Sequence, residues 1–210
     1  MKYFTLIVLF MLFSCGNKEA VLLPKASTTI VKNVVDLSPI YIFFRTKDKD
    51  TLAEVNRKNS IISTNWILNV DKRLPLRHAI SEIIKLQQKK REEKAHKNEK
   101  AENYYSYADT IEKNLAFIPF TDVYYKLEKP KSGVAVFFTK NNEILVDDSV
   151  VKQEELQAYL NKLPSRTSNE YVFCFDKNMT FGNYIQNKIF INSLKLSSSE
   201  FNKKHEEFIF

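Results

Sequence analysis

The sequence YVFCFDK at residues 171–177 decides the fold of the second half of the chain, and WILNVDK at residues 66–72 repeats its pattern in the first half. Each stretch opens with an aromatic residue, continues as a short apolar run and ends in Asp-Lys. Short apolar runs bounded by turn-forming residues are typical of buried strands. Two such strands, one in each half, predict two related units.

A helix is predicted directly after each of these strands. In both halves the apolar residues that follow Asp-Lys recur at the spacing of one helix face. Pro75 and Thr180 stand at corresponding positions, and both residue types are favoured at the start of a helix. The corresponding apolar positions are Leu76, Ala79, Ile80 and Ile84 in the first half and Phe181, Tyr184, Ile185 and Ile189 in the second.

A tandem duplication explains these correspondences. Residues 40–44 match residues 134–138, because both runs end in Phe-Phe. Between that pair and the Asp-Lys, the first half is 11 residues shorter, which is the length of about one helix. A duplication that lost or remodelled one helix fits this pattern, and two unrelated α/β segments are the alternative.

The predicted fold class is α+β, with two small related units that each contain a mostly antiparallel sheet with helices on one face. The first unit is expected at residues 36–127 and the second at 134–210, joined by a charged, turn-rich linker. The second unit has the predicted order ββαβαβ. Its elements are strands 134–139 and 144–146, helix 151–163, strand 171–175, a helix capped by Thr180 and strand 207–210.

The first 14 residues have the pattern of a secretory signal peptide. A lysine precedes an uncharged apolar run at residues 4–13, which is shorter than the roughly 20 residues that span a membrane. The tetrapeptide LFSC, which ends at Cys15, resembles the lipobox of bacterial lipoproteins. This resemblance implies a diacylglyceryl group on the Cys15 thiol and cleavage before that residue. An ordinary signal peptide that happens to contain a cysteine is the alternative.

The resemblance to lipoproteins implies a location in the cell envelope, where lipid anchors the chain to a membrane and the protein faces the periplasm. Two or three acyl chains anchor a protein stably. Residues 15–35 are then expected to form a tether. Gly16, and not aspartate, follows the cysteine, and by resemblance to known sorting patterns this favours the outer membrane over the inner membrane.

Composition narrows the classes of partner. The formal net charge is +7, which in a cytosolic protein would suggest nucleic acid. Export leaves lipid headgroups, cell-wall polymers and acidic proteins as the available anions. Three glycines among 210 residues are too few for a phosphate-binding loop. We therefore expect no nucleic-acid partner and no cofactor.

A basic segment extends the helix that begins near Pro75. Residues 85–100 contain seven Lys or Arg and three Glu, so the helix is predicted to be polar on all sides there and to project from the unit or fray. The functional interpretation is an electrostatic contact with anionic wall polymer or headgroups. A solvated charged helix is the alternative. The candidate contact residues are Lys89, Lys90, Arg91 and Lys94.

The sequence carries no recognisable catalytic motif. His78, His96 and His205 have no short spacing to one another or to a cysteine, so a metal site is weakly supported. The aspartates at 147–148 are expected to form a turn between a hairpin and a helix. As a catalytic pair they would point to opposite faces of a strand.

Three further polar residues have a structural and a functional interpretation. Asp71 and Asp176 each follow a buried strand. They are predicted to bond nearby backbone amides in a turn, and equivalent ligand contacts in the two halves are the alternative. Cys174 is the only cysteine besides Cys15, and it is predicted to be a buried structural thiol rather than a reactive one.

Residues 134–210 resemble the periplasmic domain of the ExbD/TolR family. The resemblance rests on the runs VFF, ILVDD and VKQEEL, on the strand that ends at Asp176, and on FGNYI at the start of the following helix. It implies a periplasmic recognition module. Family members also carry a transmembrane helix with an aspartate in the proton path. This chain has a lipobox signal instead, and Asp36, close to Pro39, is not assigned that role.

Together these features predict a non-enzymatic, lipid-anchored binding module, an accessory of a TonB- or Tol-type energy-transduction system. Its partner is expected to be an envelope protein or the cell wall. The predicted binding surface is an exposed sheet edge or groove of the second unit. One alternative is a structural lipoprotein that contacts peptidoglycan through the basic helix. Another is an enzyme on an unfamiliar fold, which would require a deep pocket with converging polar groups.

Overall fold

The structure is a computed structural model that describes residues 20–58, 60–95, 97–163, 170–196 and 205–210. The predicted signal peptide, Cys15 and His96 lie outside the described residues. Within the described ranges the chain forms twelve strands and three α-helices, which confirms the predicted α+β class.

Two six-stranded sheets, one in each half, organise the chain. The first contains β1 (Lys25–Ala26), β2 (Leu37–Lys47), β3 (Asp50–Asn56), β4 (Asn65–Val70), β5 (Asn103–Asp109) and β6 (Leu115–Pro119). The second contains β7 (Tyr124–Lys126), β8 (Val134–Phe138), β9 (Ile144–Val146), β10 (Ser149–Val151), β11 (Tyr171–Phe175) and β12 (Glu206–Ile209). The helices are α1 (Leu76–Glu92), α2 (Leu156–Lys162), which follows a 3-10 turn at Gln153–Glu155, and α3 (Phe181–Ser193).

Both sheets are mixed, so the prediction of mostly antiparallel sheets is wrong. Each sheet has three parallel and two antiparallel strand pairings. The hairpins β2–β3 and β8–β9 are antiparallel as expected. A helix between two strands carries the chain back along the sheet, so that the next strand runs parallel to the one before it. This is why β5 is parallel to β4 after α1, and β12 is parallel to β11 after α3.

The two sheets share a four-strand arrangement. The order is β3-β2-β4-β5 in the first sheet and β9-β8-β11-β12 in the second. In both, the first pairing is antiparallel and the next two are parallel. The second unit has β10, the 3-10 turn and α2 before β11, where the first unit has a short connection from β3 to β4. A duplication in which the first half lost one helix predicts this arrangement.

One predicted correspondence is displaced by two residues. The backbone N of Asp71 donates to Ile42 O, and that of Asp176 donates to Phe138 O, each at 3.0 Å. Ile42 therefore corresponds to Phe138, whereas the match of Phe-Phe pairs had assigned Phe44 to it. A shift of two residues leaves every side chain on the same face of its strand, so apolar patterning does not distinguish the two registers.

The units meet through reciprocal backbone hydrogen bonds. Trp66 of the first unit is equivalent to Tyr171 of the second. When each residue is replaced by its equivalent in the other unit, each hydrogen bond between the units becomes another hydrogen bond of the same set. Reciprocal pairing of this kind is what an approximate two-fold axis produces. The bonds run from Leu76 N to Met179 O, from Phe181 N to Leu74 O, from Arg77 N to Lys177 O and from Gly182 N to Lys72 O, at 2.7 to 3.0 Å.

One hydrophobic core continues through both units. Tyr105 of β5 stacks on Phe120 with ring centroids 3.8 Å apart, and it meets Phe181 of α3 edge-on at 5.2 Å. Strand β7 falls within the range predicted for the first unit but pairs with β12 of the second sheet. Strand β1 falls within the predicted tether but pairs with β5. The two units are thus joined by a shared core and by β7.

Candidate binding groove

A groove of about 810 Å³, here called the junction groove, lies where the N-terminal segment of the first unit faces α3 of the second. Residues 25–28, Ile30 and Thr110 form one wall, and α3 forms the other. Asn142, from the β8–β9 turn, and Gln153, from the 3-10 turn, complete the lining beside α3. The volume falls within the range of about 300–1,000 Å³ typical of ligand sites, which often lie between domains.

Helix α3 presents one face to the core and a second face to the junction groove. Gln186, Ile189, Phe190 and Ser193 lie at positions i, i+3, i+4 and i+7, and all four line the groove. Ile189, which was predicted on the core face, packs against the core, but it is only partly buried and also lines the groove. The buried apolar residues of α3 are Phe181, Tyr184, Ile185 and Ile191.

Hydrogen bonds attach the N-terminal wall to the folded body. Thr110 donates to Ala26 O twice, from its backbone N at 2.8 Å and from its Oγ1 at 3.0 Å. On the other side, the side-chain amide of Gln186 donates to Lys25 O at 3.2 Å. Because both walls are held by the same body, the junction groove is preformed.

The lining of the junction groove is polar but almost uncharged. Nine of its fourteen residues carry a hydroxyl or a side-chain amide, and Lys25 is the one charged residue among them. In the whole chain, 27% of residues are charged. Asn142, Gln153 and Asn192 are exposed, and their side chains make no hydrogen bond within the described part of the chain. These amides are available to donate to and accept from a ligand.

The groove provides groups for binding. Its described lining contains hydroxyls, amides and the apolar surfaces of Ile189 and Phe190, and it contains no carboxylate, imidazole or thiol. Among the described residues there is no group of three or more side chains placed to hold a metal ion. The arrangement can therefore hold an uncharged ligand by hydrogen bonds from both walls and by apolar contact along α3.

Lys90 is buried, and this corrects the prediction of a helix that is polar on all sides. Only 7% of the residue is exposed. Its Nζ donates to Thr64 O at 3.0 Å and to Asn103 Oδ1 at 2.9 Å, and it lies 5.0 Å from the Trp66 ring centroid. Burial lowers the pKa of Lys90 to about 8. The last turn of α1 is packed against β4 and β5, so the helix does not project.

The other candidate contact residues stay on the surface, where one of them is engaged. Lys89 and Lys94 are exposed. The Arg91 guanidinium donates to Thr121 O at 3.0 Å and lies 4.2 Å from the Tyr124 ring centroid. The basic surface that an anionic polymer can reach is therefore smaller than the sequence predicted.

Both strand-ending aspartates form turns, as predicted. Asp71 accepts from Arg73 N at 3.0 Å, and Asp176 accepts from Asn178 N at 2.7 Å, which is the same i to i+2 bond in the two units. Burial of Asp71 opposes its ionisation. The hydrogen bonds from Arg73 and from Leu22 N outweigh this effect, so the pKa of Asp71 is lowered.

The remaining candidates occupy structural positions. Asp147 and Asp148 have φ of 46° and 67° and join β9 to β10. The predicted turn therefore lies inside an additional hairpin and does not lead directly into a helix. Cys174 is fully buried, and burial raises the pKa of its thiol to about 12, as expected of a structural cysteine. His78 lies in the first turn of α1, and His205 is exposed just before β12.

A buried ion pair at the junction was not predicted. Lys188 of α3 donates to Glu207 of β12, and the other carboxylate oxygen of Glu207 accepts from the Tyr184 hydroxyl at 2.7 Å. Hydroxyl contacts continue to Tyr125 at 3.1 Å and then to Tyr105 of the first unit at 2.7 Å. A cavity of about 170 Å³ borders the ion pair. The polar network therefore connects the two units through their shared core.

Among the described residues the longest unpaired sheet edge is β3 of the first unit, whereas the predicted binding surface was an edge or groove of the second unit. Strand β3 ends its sheet and is seven residues long, while β7 and β10, which end the second sheet, have three residues each. The turn at residues 48–49 puts Lys47 and Asp50 in register. The backbone groups of Thr51, Ala53 and Val55 therefore point away from β2.

No helix among the described residues is long and apolar enough to cross a membrane. Comparisons with protein-family models, with curated proteins and with solved structures gave no match.

Proposed function

We propose that this chain is a non-enzymatic binding protein of the bacterial cell envelope, anchored to a membrane by lipid on Cys15, and that the junction groove is its ligand site. The observation that carries the proposal is the preformed groove of about 810 Å³, in which exposed amides of Asn142, Gln153 and Asn192 have no partner among the described residues. Unpaired amides around a preformed concavity are the features of a ligand site.

The position of the groove fits the proposed anchor. Its N-terminal wall begins at Lys25, ten residues after Cys15. An extended segment of that length reaches at most about 35 Å. A groove that close to the membrane would bind ligands at the membrane surface or in the adjoining wall layer. The outer membrane remains the predicted address, because Gly16 follows the cysteine.

The anchor is tested by metabolic labelling with an alkyne fatty acid and by membrane fractionation, with the Cys15→Ala variant as the control. We expect the wild-type chain to carry the label and to sediment with membranes. The Cys15→Ala variant is expected to lose both properties, because the thiol is the acceptor of the lipid. Wild-type protein that sediments with membranes without label would contradict a lipid anchor.

A second candidate function is strand addition at β3. The outward backbone groups of Thr51, Ala53 and Val55 can pair with an extended segment of a partner protein. This is the mode expected of an accessory in a TonB- or Tol-type system. Strand β3 also carries the charged residues Asp50 and Glu54. Charged residues on an edge strand oppose the addition of a further strand. The junction groove is therefore the better supported site.

The structure does not favour the basic helix as the surface that contacts peptidoglycan. Lys90 is buried, and the Arg91 guanidinium is bonded to Thr121 O. Lys90 is thus unavailable and Arg91, although exposed, is engaged within the fold, which leaves Lys89 and Lys94 as the exposed candidates that are not so engaged. Two exposed lysines give a weak, salt-screened attraction.

A further inference from the structure

We infer that the junction groove binds an uncharged glycan that carries acetamido groups. This ligand class rests on the proposed function, because it names the ligand of the proposed site. Three properties of the lining lead to it: the near absence of charge, the abundance of side-chain amides, and an apolar strip along α3.

The near absence of charge in the lining argues against the charged ligands that are common in the envelope. A phosphate- or carboxylate-rich polymer would require several cations in the groove, and a polyamine would require carboxylates, since unpaired charges are costly to desolvate. The lining provides Lys25 as its one charge, although the chain as a whole contains 32 lysines and arginines. The basic character of the protein is therefore absent from the junction groove, as a neutral ligand requires.

The side-chain amides of the lining favour a ligand whose polar groups both donate and accept hydrogen bonds. Each Asn or Gln side chain both donates and accepts, and so does each sugar hydroxyl. Side-chain amides also pair with the N–H and C=O of an acetamido group in the way that two amides pair with each other. Asn142, Gln153 and Asn192 approach the groove from three separate elements. A ligand with several polar groups can bond all three.

The apolar strip matches the carbon face of a sugar ring. Phe190 and Ile189 are partly buried and lie next to each other on the wall formed by α3. Sugar rings present C–H groups on one face and hydroxyls around the rim, so an aromatic wall covers the first while amides bond the second. The volume of about 810 Å³ lies within the range typical of ligand sites.

The probe that tests this inference is an oligomer of N-acetylglucosamine, titrated into the full mature chain by calorimetry. We expect binding that changes little between about 50 and 500 mM salt, because no ion pair contributes to it. The double variant Gln153→Ala/Asn192→Ala is expected to lose about tenfold in affinity, since two hydrogen bonds to the ligand are removed. Gln88→Ala is the matched control, because Gln88 is an exposed glutamine on α1 that does not line the groove.

Comparison ligands decide among the outcomes. Equal affinity for a glucose oligomer without acetamido groups would overturn the acetamido specificity. Binding that high salt abolishes would overturn the neutral groove and assign the sugar to the basic surface. Purified peptidoglycan and purified lipopolysaccharide then identify the natural source of the glycan. If no sugar binds, while a crosslinker in the groove still captures a ligand in cells, the glycan class is overturned and the proposed function stands.

Discussion

Replacing Lys188 with methionine is expected to lower the free energy of unfolding by about 3–5 kcal/mol, because the substitution leaves a buried carboxylate without its cation. Glu207 is only 8% exposed, and its side chain is held by Lys188 on one oxygen and by the Tyr184 hydroxyl on the other. A tyrosine hydroxyl alone does not compensate a buried negative charge. Chemical denaturation at neutral pH measures the loss.

The neighbouring ion pair supplies a matched control for Lys188→Met. Lys126 and Glu206 are 3.5 Å apart, but the Lys126 side chain is 42% exposed, so Lys126→Met is expected to cost less than about 1 kcal/mol. The double variant Lys188→Met/Glu207→Leu should recover most of the stability, since it removes both buried charges. If Lys188→Met costs no more than Lys126→Met, the pair is not buried at the junction as described.

Replacing Lys90 with alanine is expected to lower the free energy of unfolding by about 2–4 kcal/mol. The substitution removes the stem that packs near Trp66 and the ammonium that bonds Thr64 O and Asn103 Oδ1. It leaves a cavity and unpaired buried acceptors. Lys89→Ala is the matched control, because Lys89 is exposed on the same helix turn. It should change stability by less than about 0.5 kcal/mol.

The contribution of Lys90 to the free energy of unfolding increases with pH. Burial lowers its pKa in the folded state to about 8, whereas the ordinary pKa of lysine is 10.5. Between these values the unfolded chain holds a proton that the folded chain has released, so wild-type stability rises with pH across this window. The Lys90→Ala variant lacks this rise, and the difference in unfolding free energy between the two proteins should grow from pH 8 upward. A difference that is constant with pH would show that Lys90 is not desolvated.

The sequence predicted β8, β9, β11 and α3 of the second unit because local patterns determine them. The helix predicted at residues 151–163 begins only at Leu156, because Ser149–Val151 pair with β9 as strand β10. The apolar run at β11, the cap at Thr180 and the helical spacing of α3 are all local, and the structure has each of them. The correspondence between β4 and β11 rests on the same patterns. The sequence did not indicate that the two units would face each other, so the reciprocal hydrogen bonds at the junction were not predicted.

The features that were missed depend on contacts between distant parts of the chain. The pairing of β1 with β5 and of β7 with β12 leaves no periodic pattern, because these strands are only two and three residues long. The junction groove needs both units to be in place. The burial of Lys90 had a local signal, since Lys90 continues the buried series of Ile83 and Leu86 at helical spacing. Because lysine is charged, Lys90 was nevertheless predicted to lie on the surface.

The most direct test of the proposed function places a photoactivatable diazirine residue in the full-length protein in intact cells. It is introduced at Asn192 in the junction groove, at Leu52, which is exposed on β3, or at Gln88 on α1 as the control position. We predict a crosslinked product, protein or glycan, from Asn192, and its loss when the lipidation residue is changed by Cys15→Ala. Equal products from Asn192 and Gln88, or a product from Leu52 alone, would contradict the assignment of the junction groove as the ligand site.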